Sequence, residues 1–282
     1  MRPVVLSERL RTVASMVTPG MRVCDVGCDH GFVSIWLVEQ GISPHVLAMD
    51  VREGPLTAAG RHVAERGLEE RIETRLSDGL HNYAIGEAES LICAGMGGRL
   101  MMRILGDEKS RTDSFRELIL QPQSEIEAFR GWLREQGLRI TDEKMVAEDG
   151  KFYPMMRAVP QGGEVPAARL VPDGGEETCP TMRRLRDVEP RESAAQTGDG
   201  GMEEEMLCKL ADRYGGLLLL RKDAVLRSYL QKEERIYTQI LKQLQAQGLS
   251  QDRRKRRYAE VEALLRECRK AQEIAAYTIA KH

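Results

Sequence analysis

Four carboxylates and two glycines are the residues whose type and spacing could do chemistry. In the stretch Arg22-Val-Cys-Asp-Val-Gly-Cys-Asp-His-Gly31, Asp25, Gly27, Asp29 and Gly31 recur at every second position behind a short apolar run. Asp50 closes the next apolar run, and Asp78 follows a third. A dinucleotide fingerprint would carry its second glycine at the position of Asp29, bringing backbone against a pyrophosphate. A carboxylate there repels phosphate. Two acids beside the turn suit a ligand with an ammonium and a sulfonium, such as S-adenosylmethionine. An acid at the next strand end suits ribose hydroxyls.

These residues need strands and turns to hold them. Val23–Val26, then a Gly-rich turn, then the apolar positions Phe32, Val33, Ile35, Leu37 and Val38 read as strand, turn and helix. Ser7 is the expected N-cap of a preceding helix ended by Pro19-Gly20. Further strands are predicted over His45–Asp50, Ile72–Leu76, Leu91–Ala94 and Glu117–Leu120, with helices between them. Ser124-Glu-Ile-Glu127 reads as a capping box. A closing hairpin over 140–148 and 152–159 turns at Asp149-Gly150. The alternation implies an α/β fold with a doubly wound, mainly parallel sheet, whose ligands bind at the carboxyl ends of the strands. Asp25, Asp50, Asp78, Gly95 and Gln121 all fall at such ends.

With 282 residues, 41% of them hydrophobic, the chain has length for one full α/β domain and something smaller. Three parts are expected: a domain over 1–160, a flexible linker or insert over 161–202 rich in Gly, Pro, Glu and Arg, and a helical domain over 203–282. In the last, apolar positions at 226, 230, 237, 240 and 244, with Glu233 among them, nearly follow a 4-3 repeat. After a break at Gly248-Leu-Ser250 the repeat resumes at Tyr258, Val261, Leu265, Cys268, Gln272, Ala275 and Ile279, as in an antiparallel coiled-coil hairpin. Six scattered cysteines and five histidines show no metal spacing, and no apolar run is long enough for a signal peptide or a bilayer. Reduced thiols in a cytoplasm fit this usage. The net charge of −2 excludes a generally basic coat, so contact with nucleic acid must come from local patches such as Arg253-Arg-Lys-Arg-Arg257. That run reads either as a nucleic-acid phosphate contact or as a solvated hairpin tip. The oligomeric state is left undecided, with a monomer preferred.

Asp-Val-Gly-Cys-Asp-His-Gly31, Ala-Met-Asp50-Val-Arg-Glu-Gly-Pro-Leu, Leu-Ser-Asp78-Gly-Leu, Ala94-Gly-Met-Gly-Gly, Leu-Gln-Pro-Gln123 and Gly-Lys-Phe-Tyr153-Pro occur in this order. The set resembles the TrmK family, bacterial tRNA (adenine(22)-N(1))-methyltransferases, from about Leu6 to Ala158 and again from Tyr214. The resemblance implies a class I methyltransferase domain with a Rossmann-like sheet, S-adenosylmethionine as donor and tRNA as acceptor. It places the donor along Asp25, Gly27, Cys28, Asp29, His30 and Gly31, along Asp50 and Val51, along Asp78 and Gly79, and along Ala94, Gly95 and Met96.

For the acceptor, the end of the fourth strand lacks the Asn/Asp-Pro-Pro-aromatic pattern of enzymes that methylate exocyclic amines, and Cys93 reads as core. Ring N1 of adenine has an in-plane lone pair and needs positioning above all. Asp29 reads either as a carboxylate beside the cationic product or as the N-cap of the following helix, and the two can coexist. His30 reads as a helix-start residue, and Asp78 as an adenine contact or a plain turn. Gln123 or Gln121 is a candidate for reading the base edge. Phe152 and Tyr153 are candidates for stacking on the base or for hairpin core. A small-molecule methyltransferase and a non-catalytic coiled-coil binding protein are the competing functions. The basic helical arm speaks against the first, and the intact acids and glycines speak against the second.

Overall fold

The computed structural model describes residues 3–161, 200–246 and 252–276. The insert expected over 161–202 lies almost wholly outside the described residues, as do the break at 248–250 and Ile279. The chain divides into two compact units, and the division falls between residues 161 and 200.

In the first unit, α1 (Glu8–Ser15) precedes β1 (Val23–Val26), α2 (Phe32–Glu39), β2 (Val46–Asp50), α3 (Glu53–Ala64) and β3 (Ile72–Leu76). Then follow β4 (Ser90–Met96), α4 (Gly98–Asp107), the short α5 (Lys109–Thr112), β5 (Glu117–Pro122), α6 (Ile126–Glu135), β6 (Leu138–Glu148) and β7 (Lys151–Pro160). The strands form one sheet of order β3-β2-β1-β4-β5-β7-β6, parallel from β1 to β5, with β7 antiparallel to β5 and β6. β1, β2 and β5 are buried throughout, as strands covered on both faces must be. Their alternate residues feed two cores. Cys24, Val26, Leu118 and Leu120 pack with Met101 of α4 and Phe129 of α6. Val23, Val46 and Ile119 pack with Val13 of α1, Ile35 of α2 and Val63 of α3.

Ser7 caps α1, accepting from the Leu10 N–H at 3.3 Å. The β6–β7 turn has Asp149 at φ 50° and Gly150 at φ 73°, the two left-handed residues of a type I′ hairpin. The capping box is not formed. Glu125 precedes α6 in the left-handed region at φ 49°, without a side-chain cap, and the Ser124 hydroxyl bonds to the Glu125 carboxylate. The N-cap falls one residue later, at Glu125, whose carbonyl accepts the first helical bond from Phe129, while the Ser124 carbonyl accepts from Gly98 N–H at the start of α4 at 3.1 Å. A Cβ on Gly98 would lie 2.6 Å from that oxygen. Met96 O likewise accepts from Gln123 N at 2.8 Å, so the glycines of this loop stitch it to the end of β5.

In the second unit, α7 (Gly200–Leu210) runs through a π-helical turn (Ala211–Gly215) into α8 (Gly216–Leu220), followed by α9 (Ala224–Ala246) and α10 (Asp252–Ala276). α9 and α10 form the antiparallel hairpin: Gln245 reaches Tyr258 at 2.9 Å, and Glu234 meets Arg269 and Gln272 at 3.0 and 3.1 Å. The buried positions on α9 are Leu226, Leu230 and Leu241, with Ile240 at the edge of the seam. On α10 the buried stripe also takes in Glu267, Ala271 and Ile274 and is wider than a two-helix repeat, because this helix also packs on α8. Glu233, the acid in the apolar repeat, accepts from the hydroxyls of Tyr214, Tyr229 and Tyr237 at 2.8–2.9 Å. Among the described residues no helix is long and apolar enough to cross a membrane, and no group of three or more His, Cys, Asp or Glu could hold a metal ion.

Candidate active site

The carboxyl ends of β1, β2, β3, β4 and β5 bring the predicted residues to one edge of the sheet. At the first turn, Gly27 and Gly31 both sit at φ 75°, which L side chains rarely adopt. The N–H groups of Gly27 and Cys28 donate to the Met49 carbonyl at 2.8 and 3.0 Å, and Cys28 O accepts from Gly31 N. The Cys28 side chain is buried, and burial raises its thiol pKa well above the ordinary value. Cys28 therefore shapes the turn, with its polar groups engaged inside it. Asp25 lies beneath, accepting from the Ser34 hydroxyl at 2.7 Å. Burial lifts its carboxyl to about 6, against the Ser34 bond that lowers it, with the Asp50 charge adding to the rise.

Asp50 ties the turn to the end of β2. Its Oδ2 accepts from the Asp29 N–H at 3.1 Å and its Oδ1 from the Arg52 N–H at 2.9 Å. Asp29 is not a helix cap. It sits at φ 50°, and Gly31 occupies the N-cap of α2. With the cap position taken by a glycine, the Asp29 carboxylate stays 59% exposed, 3.5 Å from Arg52 and 3.8 Å from His30. The His30 carbonyl accepts from His62 Nδ1 at 3.0 Å, and Phe32 stacks on His62 with centroids 4.9 Å apart. Val51 is 60% exposed, an unusual state for a valine between two anchored residues.

Asp78 faces solvent and pairs with Arg103 of α4 at 3.1 Å, beside a cleft that His81 and Ile104 also line. Gly79 takes φ 58° against Ile104. On β4, Ala94 is half-buried and Gly95 exposed, while Met96 leans on the first turn: a Cβ on Gly27 would lie 2.1 Å from its methyl carbon. Burial pushes the Cys93 thiol up to about 12, so this strand end offers no thiolate.

On the far side, Gln121 does not face outward. Its Nε2 donates to the Pro122 carbonyl at 3.0 Å and its Oε1 accepts from Arg9 at 2.8 Å. Gln123 is exposed, its Nε2 3.7 Å from where a Gly95 Cβ would stand. Tyr153 is half-buried at the start of β7, with the Arg9 guanidinium 5.3 Å from its ring centroid. Phe152 precedes it, also half-buried. Sequence reasoning missed Arg9, Ser34, Arg52 and Arg103. For Arg9 a signal existed: it lies in the first turn of α1, where a cation opposes the helix dipole.

The methyltransferase-domain family matches residues 6–156. A tRNA (adenine(22)-N(1))-methyltransferase of Bacillus subtilis (strain 168) is 34% identical over 168 residues, covering 60% of this chain and 70% of the relative. A crystal structure of a putative tRNA (m1A22) methyltransferase from Streptococcus pneumoniae superposes with a TM-score of 0.72 at 26% identity, covering 95% of this chain and all of that one. The same Streptococcus protein in complex with S-adenosyl-L-methionine superposes at 0.70 and 25% identity, over 95% of this chain and 100% of the other. The chain belongs to the methyltransferase-domain family and, within it, to the TrmK family of tRNA (adenine(22)-N(1))-methyltransferases.

Proposed function

We propose that this chain transfers the methyl group of S-adenosylmethionine to ring N1 of an adenine in tRNA, position 22, acting as a monomer in the cytoplasm. On this reading, residues 1–160 are the catalytic domain and 203–282 a helical domain that assists tRNA binding. The observation that carries it is the Asp29–Asp50 arrangement. Asp50 organises the turn through two backbone N–H groups, while Asp29 presents an exposed carboxylate where a pyrophosphate-binding turn would need a glycine.

The donor set fits S-adenosylmethionine. A carboxylate has about four lone-pair sites, and Asp50 uses one backbone donor on each oxygen, which leaves room for ribose hydroxyls. Bound there, S-adenosylmethionine supplies an electrophilic methyl group on a positively charged sulfur. Gly27, Asp29, His30 and Gly31 hold its methionine end over Asp25 and Cys28, and Val51 packs on its adenine. Asp78 beside Gly79 meets the adenine amino group once Arg103 gives way. Ala94, Gly95 and Met96 line the donor on the side that faces the acceptor.

The acceptor needs no nucleophile from the protein and no obligatory base, since N1 brings its own lone pair. Positioning and electrostatics do the rest. N1 lies on the Watson–Crick edge, so the adenine enters unpaired or flipped. Gln123 meets its edge and Tyr153 offers its ring. The methylated ring is cationic, and the Asp29 carboxylate favours that charge. The test is radiolabelled methyl transfer to unmodified tRNA with nucleoside analysis of the product. The reading expects 1-methyladenosine, lost when A22 is replaced by G. Label on another atom, or retained with G22, would refute it.

A further inference from the structure

Arg9 carries a charge that no acid among the described residues neutralises. Among the described residues no carboxylate lies within ion-pair distance of its guanidinium. Glu148, the acid nearest in the hydrogen-bond pattern, accepts from the backbone N–H of Arg9 at 3.3 Å. The side chain is nevertheless fixed. Nη1 donates to Gln121 Oε1 at 2.8 Å, the Gln121 amide is itself oriented by its bond to the Pro122 carbonyl, and the guanidinium lies over the Tyr153 ring. A buried glutamine and a stacked tyrosine thus hold one cation in a single orientation. Nη1 also stands 3.7 Å from where a Gly95 Cβ would be, as does Gln123 Nε2, so Arg9 and Gln123 both border Gly95 at the end of β4.

The place of this cation in the strand order says which ligand it meets. Its partners Gln121 and Tyr153 lie on β5 and β7, beyond β4 from the β1–β2 turn that fits the donor, and Gly95 of β4 stands between the two sides. The cation is therefore on the acceptor side. A fixed guanidinium with free N–H groups matches the paired oxygens of a phosphate, and it gains nothing from an adenine that becomes cationic. We propose that Arg9 is the anion-binding residue of the acceptor site, gripping a phosphate of the tRNA nucleotide that presents the target adenine. Gln121 acts as its positioning residue. This rests on the tRNA reading above. Arg9 holds the backbone of the incoming nucleotide while Gln123 meets the edge of its base.

The test measures tRNA binding across a salt series for the wild type, Arg9→Gln and Arg9→Lys, with S-adenosylmethionine affinity by calorimetry and melting temperature alongside. Arg9→Gln should weaken tRNA binding about tenfold or more and flatten the slope of log K against log salt by about 0.7–0.9, the release expected for one phosphate contact. KM for tRNA should rise more than kcat falls. S-Adenosylmethionine affinity should stay within about twofold of wild type, because a residue of the acceptor side leaves uniform donor binding untouched. Arg9→Lys keeps the charge and should keep most of the slope, which holds the test open if Arg9→Gln folds poorly. An unchanged slope in Arg9→Gln with wild-type tRNA binding would reduce Arg9 to a brace for Gln121 and overturn the proposal alone. A selective loss of S-adenosylmethionine affinity would move Arg9 to the donor and also overturn it. A wild type that binds no tRNA would overturn the substrate reading and the proposal with it.

Discussion

The two edges of the sheet use the same residue types to opposite ends. At the amino edge, Glu117 opens β5 fully buried. It accepts from Thr18 N at 2.8 Å, Thr18 Oγ1 at 2.7 Å and Ser90 Oγ at 3.0 Å, with Arg157 at 3.4 Å. At the carboxyl edge, Asp29 and Asp78 are more than half exposed, each facing an arginine that is itself more than half exposed. Asp50 is buried but retains free lone pairs, and Arg9 has no acid partner among the described residues. The amino edge is closed on itself, its acid engaged by Thr18, Ser90 and Arg157, and holds the fold together. The carboxyl edge is organised yet leaves hydrogen-bonding capacity unused, which is what a ligand requires.

Glu117→Ala should separate the two edges most sharply. Removing one partner of a buried ion pair costs about 3–5 kcal/mol, so denaturant unfolding should show a loss of that size. The fraction that remains folded should bind S-adenosylmethionine as the wild type does. A small loss of stability would mean that the Glu117 cluster does not hold the fold together.

Asp25 lies between the two cases, buried yet beneath the turn. The folded protein keeps its proton up to about pH 6, while the unfolded chain releases it near 3.8. Stability from this group is therefore complete below pH 3.8, falls as pH rises to 6 and is level above. Asp25→Asn keeps an acceptor for Ser34 and carries no charge. It should be more stable than the wild type at pH 7.5, by at most about 3 kcal/mol, and equal to it near pH 3.5. Equal stability at both pH values would contradict the burial argument.

Asp50→Asn leaves one acceptor oxygen where two backbone N–H groups each need one, so it should cost about 1–3 kcal/mol of stability and weaken S-adenosylmethionine binding by about 1.5–3 kcal/mol, the worth of a hydrogen bond to a charged acceptor. Calorimetry that returned wild-type affinity would remove Asp50 from the site. The smallest effect per residue is expected at the hairpin, where Arg253 to Arg257 open α10 against its dipole. Replacing all five with Gln should flatten the salt dependence of tRNA binding by about 0.7–0.9 per lost contact. S-Adenosylmethionine affinity should not move. Unchanged tRNA binding would make the run a solvated tip.

Much of the carboxyl edge was legible because its signals are local. An apolar run, a glycine at positive φ and an acid within a few residues describe Asp25 to Gly31, and an apolar run closed by an acid describes the end of β2. What stayed hidden depends on partners distant in the chain. Arg9 meets Gln121 from 112 positions away, so nothing beside either residue announces the pair. The expected capping box is a related case: Ser124 satisfies local rules, but the N-cap falls one residue later, at Glu125, and the Ser124 carbonyl accepts from Gly98 N–H. Asp29 looked equally good as a helix cap, and only the turn itself, with Gly31 at the N-cap, freed its carboxylate. Glu117 passed unremarked because a buried acid at a strand start has no pattern of its own.

The contrast between the edges is tested most directly by amide hydrogen exchange with and without S-adenosylmethionine. Binding should slow exchange in segments 25–31, 50–53, 78–80 and 94–97, while segments 16–19 and 87–90 at the amino edge exchange as before. Protection at the amino edge, or none at the carboxyl edge under conditions where calorimetry shows binding, would contradict the account.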